Sequence, residues 1–336
     1  RKIILENLKN KKIDIIFGTH ALFQKKIKFK NLGLIIIDEQ HKFGVKQRIE
    51  LSRKGGKDCD ILLMSATPIP RTLILALYGD MDVSKLIEKP MYRKKIITLS
   101  KPEEKISEIL SFIKKQINNG NQVFWVCPLI NESKKLDYSA AIDKYKYLSN
   151  KFENKVGLIH GELKKDEKNF ILNKFLNKSV NILVSTTVIE VGVDFPNANV
   201  IVVENSNKFG LSQLHQLRGR VGRGINQGVC ILLYKKNLSE NAKKRIKILK
   251  SSNDGFYIAE EDMKLRGFGD VLGYQQSGIK DFKLADPIHH MDLFKIAEEN
   301  IKDIERDENN FKRYDFLLKL FDKADIVNQI DIEKIN

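Results

Sequence analysis

An apolar run, LGLIIID, ends in Asp38, and Glu39, Gln40 and His41 follow. Open α/β sheets bind ligands at the carboxyl ends of their strands. Neighbouring strand residues face opposite sides, so one carboxylate can hold Mg²⁺ while the other faces an attacking water. Magnesium takes one or two protein carboxylates and fills its shell with phosphate oxygens and water. This reading gives Asp38 to the metal and Glu39 to the water. A second apolar run ends in Ser65-Ala66-Thr67, whose short hydroxyls can hydrogen-bond nearby carboxylates without filling a nucleotide cleft. Gly18-Thr19-His20 follows a third run and offers a small residue and two polar side chains, a set suited to a nucleic-acid phosphate.

Two longer strings carry more information. In VSTTVIEVGVDFPNANVIVVEN (184–205), Ser185, Thr186 and Thr187 end one strand, and Gly192 and Asp194 follow a short helical turn. Hydroxyls and amides at a helix start can hold a phosphate, and Asp194 can accept from a ribose hydroxyl. In QLHQLRGRVGRG (213–224), Arg218, Arg220 and Arg223 alternate with Gly219, Gly222 and Gly224. Glycines let a backbone approach a ligand. Arg220 and Arg223 would share a face if they lie on a helix, and two guanidinium forks suit an anion of several charges. His160-Gly161 after KVGLIH is a weaker signal, since such a pair also makes an ordinary turn.

The elements that must position these residues are short apolar strands alternating with amphipathic helices. Strands are expected at 13–18, 32–38, 60–65, 122–127, 155–160, 180–186, 198–205 and 228–234, and helices at 103–117 and 166–178. Runs this apolar suit parallel strands buried on both faces. The fold class is therefore α/β, with parallel sheets and right-handed crossovers. Three regions are expected: 1–95, with few strands for a complete sheet; 96–236, a full α/β unit; and 237–336, mostly helical with a glycine-rich loop at 265–278.

Lys and Arg outnumber Asp and Glu by 59 to 43, a net charge of +16. That surplus fits a polyanionic partner and equally fits a lysine-rich composition spread over solvated helix faces. Cys59, Cys127 and Cys230 form no C-x-x-C, and two lie in apolar runs, as expected of reduced thiols in a cytoplasmic protein. No apolar stretch reaches the ~18 residues of a membrane span. The first residue is Arg1, and RKIILENLKN reads as mid-helix, so further chain is expected upstream.

Taken together, these strings resemble the motor of superfamily 2 DNA helicases, and those of the RecG family over nearly the whole chain. D-E-Q-H resembles the Walker B box, MSATPIPRT (64–72) the coupling motif, and Gln216-x-x-Gly219-Arg220-x-Gly222-Arg223 matches motif VI in full. Three stretches, at 77–96, 126–141 and 252–278, favour RecG over its relative, the transcription-repair coupling factor. The resemblance implies two RecA-like domains followed by a helical hairpin and loop that grip duplex DNA. It implies ATP and Mg²⁺ as cofactors, with Asp38, Glu39, Arg220 and Arg223 catalytic. Nucleotide contacts would fall to Gln216, Gly192, Asp194, Ser65 and Thr67, and DNA contacts to Thr19, His20, Thr186, Arg266 and Gln276. The implied partner is branched DNA, with single-strand-binding protein as a further one, and a monomer is expected.

The sequence departs from the family in two ways. Phe268 stands where Pro is expected and Tyr274-Gln275 where Thr-Arg is expected, which removes one phosphate contact. No G-x-x-x-x-G-K-[ST] string occurs, and Gly55-Gly56-Lys57-Asp58 lacks both the spacing and the hydroxyl. Without that cradle the ATP phosphates lack their primary site, so these 336 residues are expected to be inactive alone. The alternatives are a coupling-factor-like translocase and a non-catalytic DNA-binding remnant.

Overall fold

The computed structural model describes residues 2–24, 26–39, 54–55, 59–66, 82–88, 90–91, 93–128, 134–186, 194–266, 290, 292–293, 296–297 and 299–300. The chain divides into two compact units, one of residues 1–70 with 83–278 and one of 71–82 with 279–336. In the second unit the described residues carry single-turn contacts, such as Leu293 N–H to His290 O at 3.0 Å.

Eight strands are described in the first unit. β1 (Leu34–Ile37) and β2 (Asp60–Leu63) form a parallel pair. The others are β3 (Ile97–Pro102), β4 (Gln122–Val126), β5 (Val156–Ile159), β6 (Ile182–Ser185), β7 (Ala198–Val203) and β8 (Val229–Tyr234). These make a six-stranded, all-parallel sheet in the order β3-β8-β7-β4-β6-β5. The described α-helices are α1 (Lys2–Lys9), α2 (Ile106–Asn118), α3 (Lys134–Phe152), α4 (Lys165–Leu176), α5 (Leu211–Arg218), α6 (Glu240–Ser251) and α7 (Gly255–Arg266).

The inner strands of the large sheet are buried on both faces, as their near-continuous apolar sequences require. Alternate residues of β4 enter opposite cores. Val123 and Trp125 pack with Ile109, Ile113 and Ile117 of α2 and Leu148 of α3. Phe124 and Val126 pack with Leu214 of α5, Leu249 of α6 and Ile258 of α7. Phe124, Phe175 and Phe195 meet with ring centroids 5.2–5.6 Å apart, a spacing in the favourable range for aromatic pairs.

Three expectations need correction. Residues 13–18 form no strand: Ile15 and Phe17 are exposed, and the run pairs with nothing among the described residues. Apolar character alone does not make a strand when no neighbour offers a ladder. β1 and β2 are not buried on both faces, because Ile35 and Ile37 are covered while Leu34, Ile36 and Leu62 are exposed. β3 was not expected at all. It is an edge strand ending in Lys101-Pro102, and edge positions tolerate charge and proline.

Candidate functional site

The first group of candidates sits where β1 and β2 end side by side. Ile37 pairs with Leu63, and Met64 N–H donates to Ile37 O at 2.8 Å, carrying the ladder one step further. Asp38-Glu39 and Ser65 therefore leave the sheet from adjacent carboxyl ends. Asp38 is exposed and Glu39 and Ser65 are half-buried. The two carboxylates do not alternate as strand residues would. Glu39 N–H donates to Asp38 Oδ1 at 2.8 Å, and Glu39 adopts φ +51°. A left-handed non-glycine costs roughly 1–2 kcal/mol, so the chain turns at Glu39 against its intrinsic preference. Among the described residues no three His, Cys, Asp or Glu side chains gather as a metal cage. The one exposed carboxylate of Asp38 fits a magnesium ion held mainly by phosphate oxygens and water. Thr67 lies outside the described residues.

Gly18 passes under Leu22, whose Cγ would be 2.7 Å from an added Cβ. Thr19 is exposed and precedes a 3₁₀ turn, His20–Phe23; its carbonyl accepts from Leu22 N–H at 3.0 Å. The side chain of His20 lies outside the described residues. Lys54, which the sequence reading passed over, pins this segment: its ammonium donates to the carbonyls of Leu22, Gln24 and Ile27 at 3.1, 2.7 and 3.1 Å.

The second group surrounds the loop after α5. The helix ends at Arg218, Gly219 caps it, and Arg220 and Arg223 follow in the loop. The expectation that these two arginines share a helix face is therefore corrected; the helix stops at Gly219, before them. The glycines also serve a different approach from the one expected. Gly222 has φ +66°, and a Cβ there would stand 3.0 Å from Gly228 Cα; one on Gly224 would stand 2.5 Å from Pro196 O. The close approach is to the chain's own backbone, which fixes the loop's shape.

That loop brings two predicted residues together. Arg223 Nη1 lies 3.4 Å from Asp194 Oδ1. Arg223 Nε also donates to Gly219 O at 3.5 Å, and the same carbonyl accepts from Arg93 Nη2 at 3.0 Å. Gln227 donates from its amide to Lys95 O, and Ile97 N–H donates to Gly228 O at 2.9 Å. The segment leading into β3 is thus stitched to the arginine loop at several points. Gln216 and Arg220 are half-buried on or just beyond α5.

Arg218 belongs to another task. It is 2% exposed. Its Nη1 donates to Leu249 O at 2.7 Å and Ser252 O at 2.8 Å, and its Nη2 lies 2.9 Å from His215 Nδ1. Burial pulls its pKa below the ordinary guanidinium value. The side chain ties α5 to the end of α6 and cannot face a ligand in solvent. Arg245 likewise turns inward and donates to Phe209 O at 2.7 Å.

At the carboxyl end of β6, Ser185 and Thr186 are fully buried, and among the described residues their hydroxyls have no hydrogen-bond partner. His160 follows β5 and is half-buried. Just past the ends of β4 and β7, Lys144 Nζ of α3 meets Glu204 Oε1 at 2.5 Å, and Cys127 Sγ lies 3.5 Å from Glu204 Oε2. Burial, reinforced by the Glu204 charge, pushes the Cys127 thiol well up. Arg266 ends α7, but its side chain, Gly192 and Gln276 lie outside the described residues.

Three family models match the chain: "DEAD/DEAH box helicase" over residues 1–75, "Helicase conserved C-terminal domain" over 104–224, and "ATP-dependent DNA helicase RecG, domain 3, C-terminal" over 252–326. The ATP-dependent DNA helicase RecG of Bacillus subtilis is 49% identical over 302 residues, which is 89% of this chain and 44% of the relative. That of Thermotoga maritima is 48% identical over 90% of this chain and 39% of the relative. The chain thus spans about two fifths of the length of these relatives. A solved structure of RecG bound to a three-way DNA junction superposes with a TM-score of 0.63 at 44% identity, over 87% of this chain and 37% of that one. At 18% identity and a TM-score of 0.51, the structure of S. cerevisiae Dbp5 shares the fold.

Proposed function

The chain belongs to the RecG family of superfamily 2 helicases, and from that premise we propose that it supplies the water-orienting, arginine and DNA-engaging parts of an ATP-dependent translocase acting on branched DNA. The observation that carries this reading is the arginine loop, which holds Arg220 and in which Arg223 meets Asp194 at 3.4 Å. When bound, ATP with Mg²⁺ supplies the phosphoanhydride whose hydrolysis drives the cycle.

Asp38, exposed at the end of β1, would hold the metal, and Glu39 would orient the attacking water. Arg220 and Arg223 would neutralise charge developing on the transferred phosphoryl group, a contribution of ~10³–10⁵ in rate for arginine fingers. Asp194, Gln216, Gly192, Ser65 and Thr67 would position the nucleotide. Thr19, His20, Thr186, Arg266 and Gln276 would contact DNA. In this reading 1–95 contributes to the first motor domain, 96–236 forms the second, and 237–336 carries the translocation hairpin and loop. The protein would work in the cytoplasm as a monomer, repairing stalled forks and Holliday junctions, with single-strand-binding protein as a further partner. The sequence carries no G-x-x-x-x-G-K-[ST] string, so turnover needs a phosphate cradle supplied from elsewhere.

A chimera tests this. The chain replaces the matching 302 residues of the Bacillus subtilis relative, and phosphate release is followed with a three-way junction and with linear duplex. Turnover stimulated more by the junction is expected. A chimera that folds but responds equally to both, or to neither, overturns the branched-DNA assignment.

A further inference from the structure

Lys243, Lys247 and Lys250 follow one another along α6 at spacings of four and three residues, which places them on one face. Together with Ser100 of β3, Tyr234 at the end of β8 and Ser251, they line a groove of about 370 Å³. Leu238 and Ile246 complete the lining, and among the described residues no carboxylate joins it. Nearby lysines also sit in exposed ion pairs, Lys101 and Lys105 sharing Glu108 at 3.3 and 3.2 Å and Lys236 meeting Glu104 at 3.1 Å. Lys243 meets Glu240 at 2.7 Å in an exposed pair, which holds weakly. Lys247 and Lys250 have no such partner among the described residues. The structure also sorts the basic run of this helix. Arg245 is spent on the backbone of Phe209, and Lys244 does not line the groove.

A concave, cationic, hydroxyl-bearing surface without acid favours an anion. Its length selects among anions. From the first lysine to the third the helix rises ~10 Å at 1.5 Å per residue, and a DNA strand places a phosphate every ~3.4 Å of its axis. The lysines stand ~6 and ~4.5 Å apart along the helix axis, so each can pair with a separate phosphate of a strand, where a lone phosphate would engage one or two. We propose that the groove between β3 and α6 is a contact track for the sugar–phosphate backbone of duplex DNA. The ligand class rests on the DNA-translocase reading above, but none of the residues assigned there takes part.

The test is binding of a short labelled duplex by the full chain, followed by anisotropy over a range of salt. The variant Lys243→Gln/Lys247→Gln/Lys250→Gln is compared with a charge-matched control, Lys114→Gln/Lys115→Gln/Lys151→Gln. The groove variant is expected to lose about 2–3 from the slope of log affinity against log salt, at ~0.9 per phosphate, and at least ~tenfold in affinity at low salt. The control should keep its slope. Equal effects in the two variants, or none in the groove variant, overturn the track and leave the DNA reading standing. Failure of the parent chain to bind duplex overturns both. If the triple variant melts early, Lys247→Gln and Lys250→Gln alone should each lower the slope by about 0.9. Protection of the three lysines from acetylation by inorganic pyrophosphate, but not by duplex, would reassign the groove to a free anion.

Discussion

Asp194 and Arg223, 29 residues apart in sequence, meet at 3.4 Å across the loop that follows α5. The carboxylate side chain is 63% exposed and the guanidinium 33%. Exposed pairs of this kind contribute only about 0–1 kcal/mol, so the pair does not exist for stability. Asp194→Ala is expected to leave the urea midpoint of the chain unchanged within error. A large loss would give the pair a structural role and weaken its assignment to the nucleotide.

Arg218 behaves oppositely. Its guanidinium satisfies the carbonyls of Leu249 and Ser252 from a site with 2% exposure. Each buried acceptor left unsatisfied costs about 1–3 kcal/mol. Arg218→Met should therefore destabilise the chain by roughly 3 kcal/mol in urea unfolding. Arg218→Lys should recover little, because one ammonium cannot reproduce the planar fork. A midpoint equal to that of the parent would contradict this.

Gly222 tests the shape of the arginine loop. Its φ is +66°, and Gly228 Cα would lie 3.0 Å from a new Cβ. Gly222→Ala should cost at least about 1–2 kcal/mol from the left-handed backbone alone. In the chimera, turnover should fall more than nucleotide affinity, since the loop carries the arginines. Unchanged turnover would mean that the loop tolerates displacement.

The buried thiols set an alkaline limit. Burial pushes Cys230 up from 9.0 to about 12, and Cys127 moves in the same direction. Between these values the unfolded thiol loses its proton while the folded one keeps it, so stability is full below about 9 and falls as pH rises toward about 12. Cys230→Ala should flatten this decline between pH ~9 and ~11 in urea unfolding. A parent and variant with parallel curves would exclude Cys230 as the cause.

How much of this the sequence disclosed depends on what each residue touches. β4, β6 and β7 were legible because strands buried on both faces leave uninterrupted apolar runs. β3 was not, because an edge strand alternates and ends in Lys101-Pro102. Residues 13–18 misled for the converse reason, an apolar run with no partner strand. The motif arginines were legible as a set, yet their division into a buried tie, Arg218, and a loop residue, Arg223, was not. The helix stop at Gly219 was the available clue, since glycine commonly ends a helix. Lys54 and Arg93 left no signal at all. Their partners are backbone carbonyls 27 to 126 residues away, and a carbonyl carries no residue identity.

Above all we propose that Arg223 acts on the nucleotide from the second motor domain. This is tested most directly by Arg223→Ala in the chimera, measuring DNA-stimulated phosphate release beside the affinity for a fluorescent adenine nucleotide. Turnover is expected to fall by ~10³-fold or more, the scale of an arginine finger, with nucleotide affinity within a few-fold of the parent. Turnover retained with Arg223 absent would contradict it.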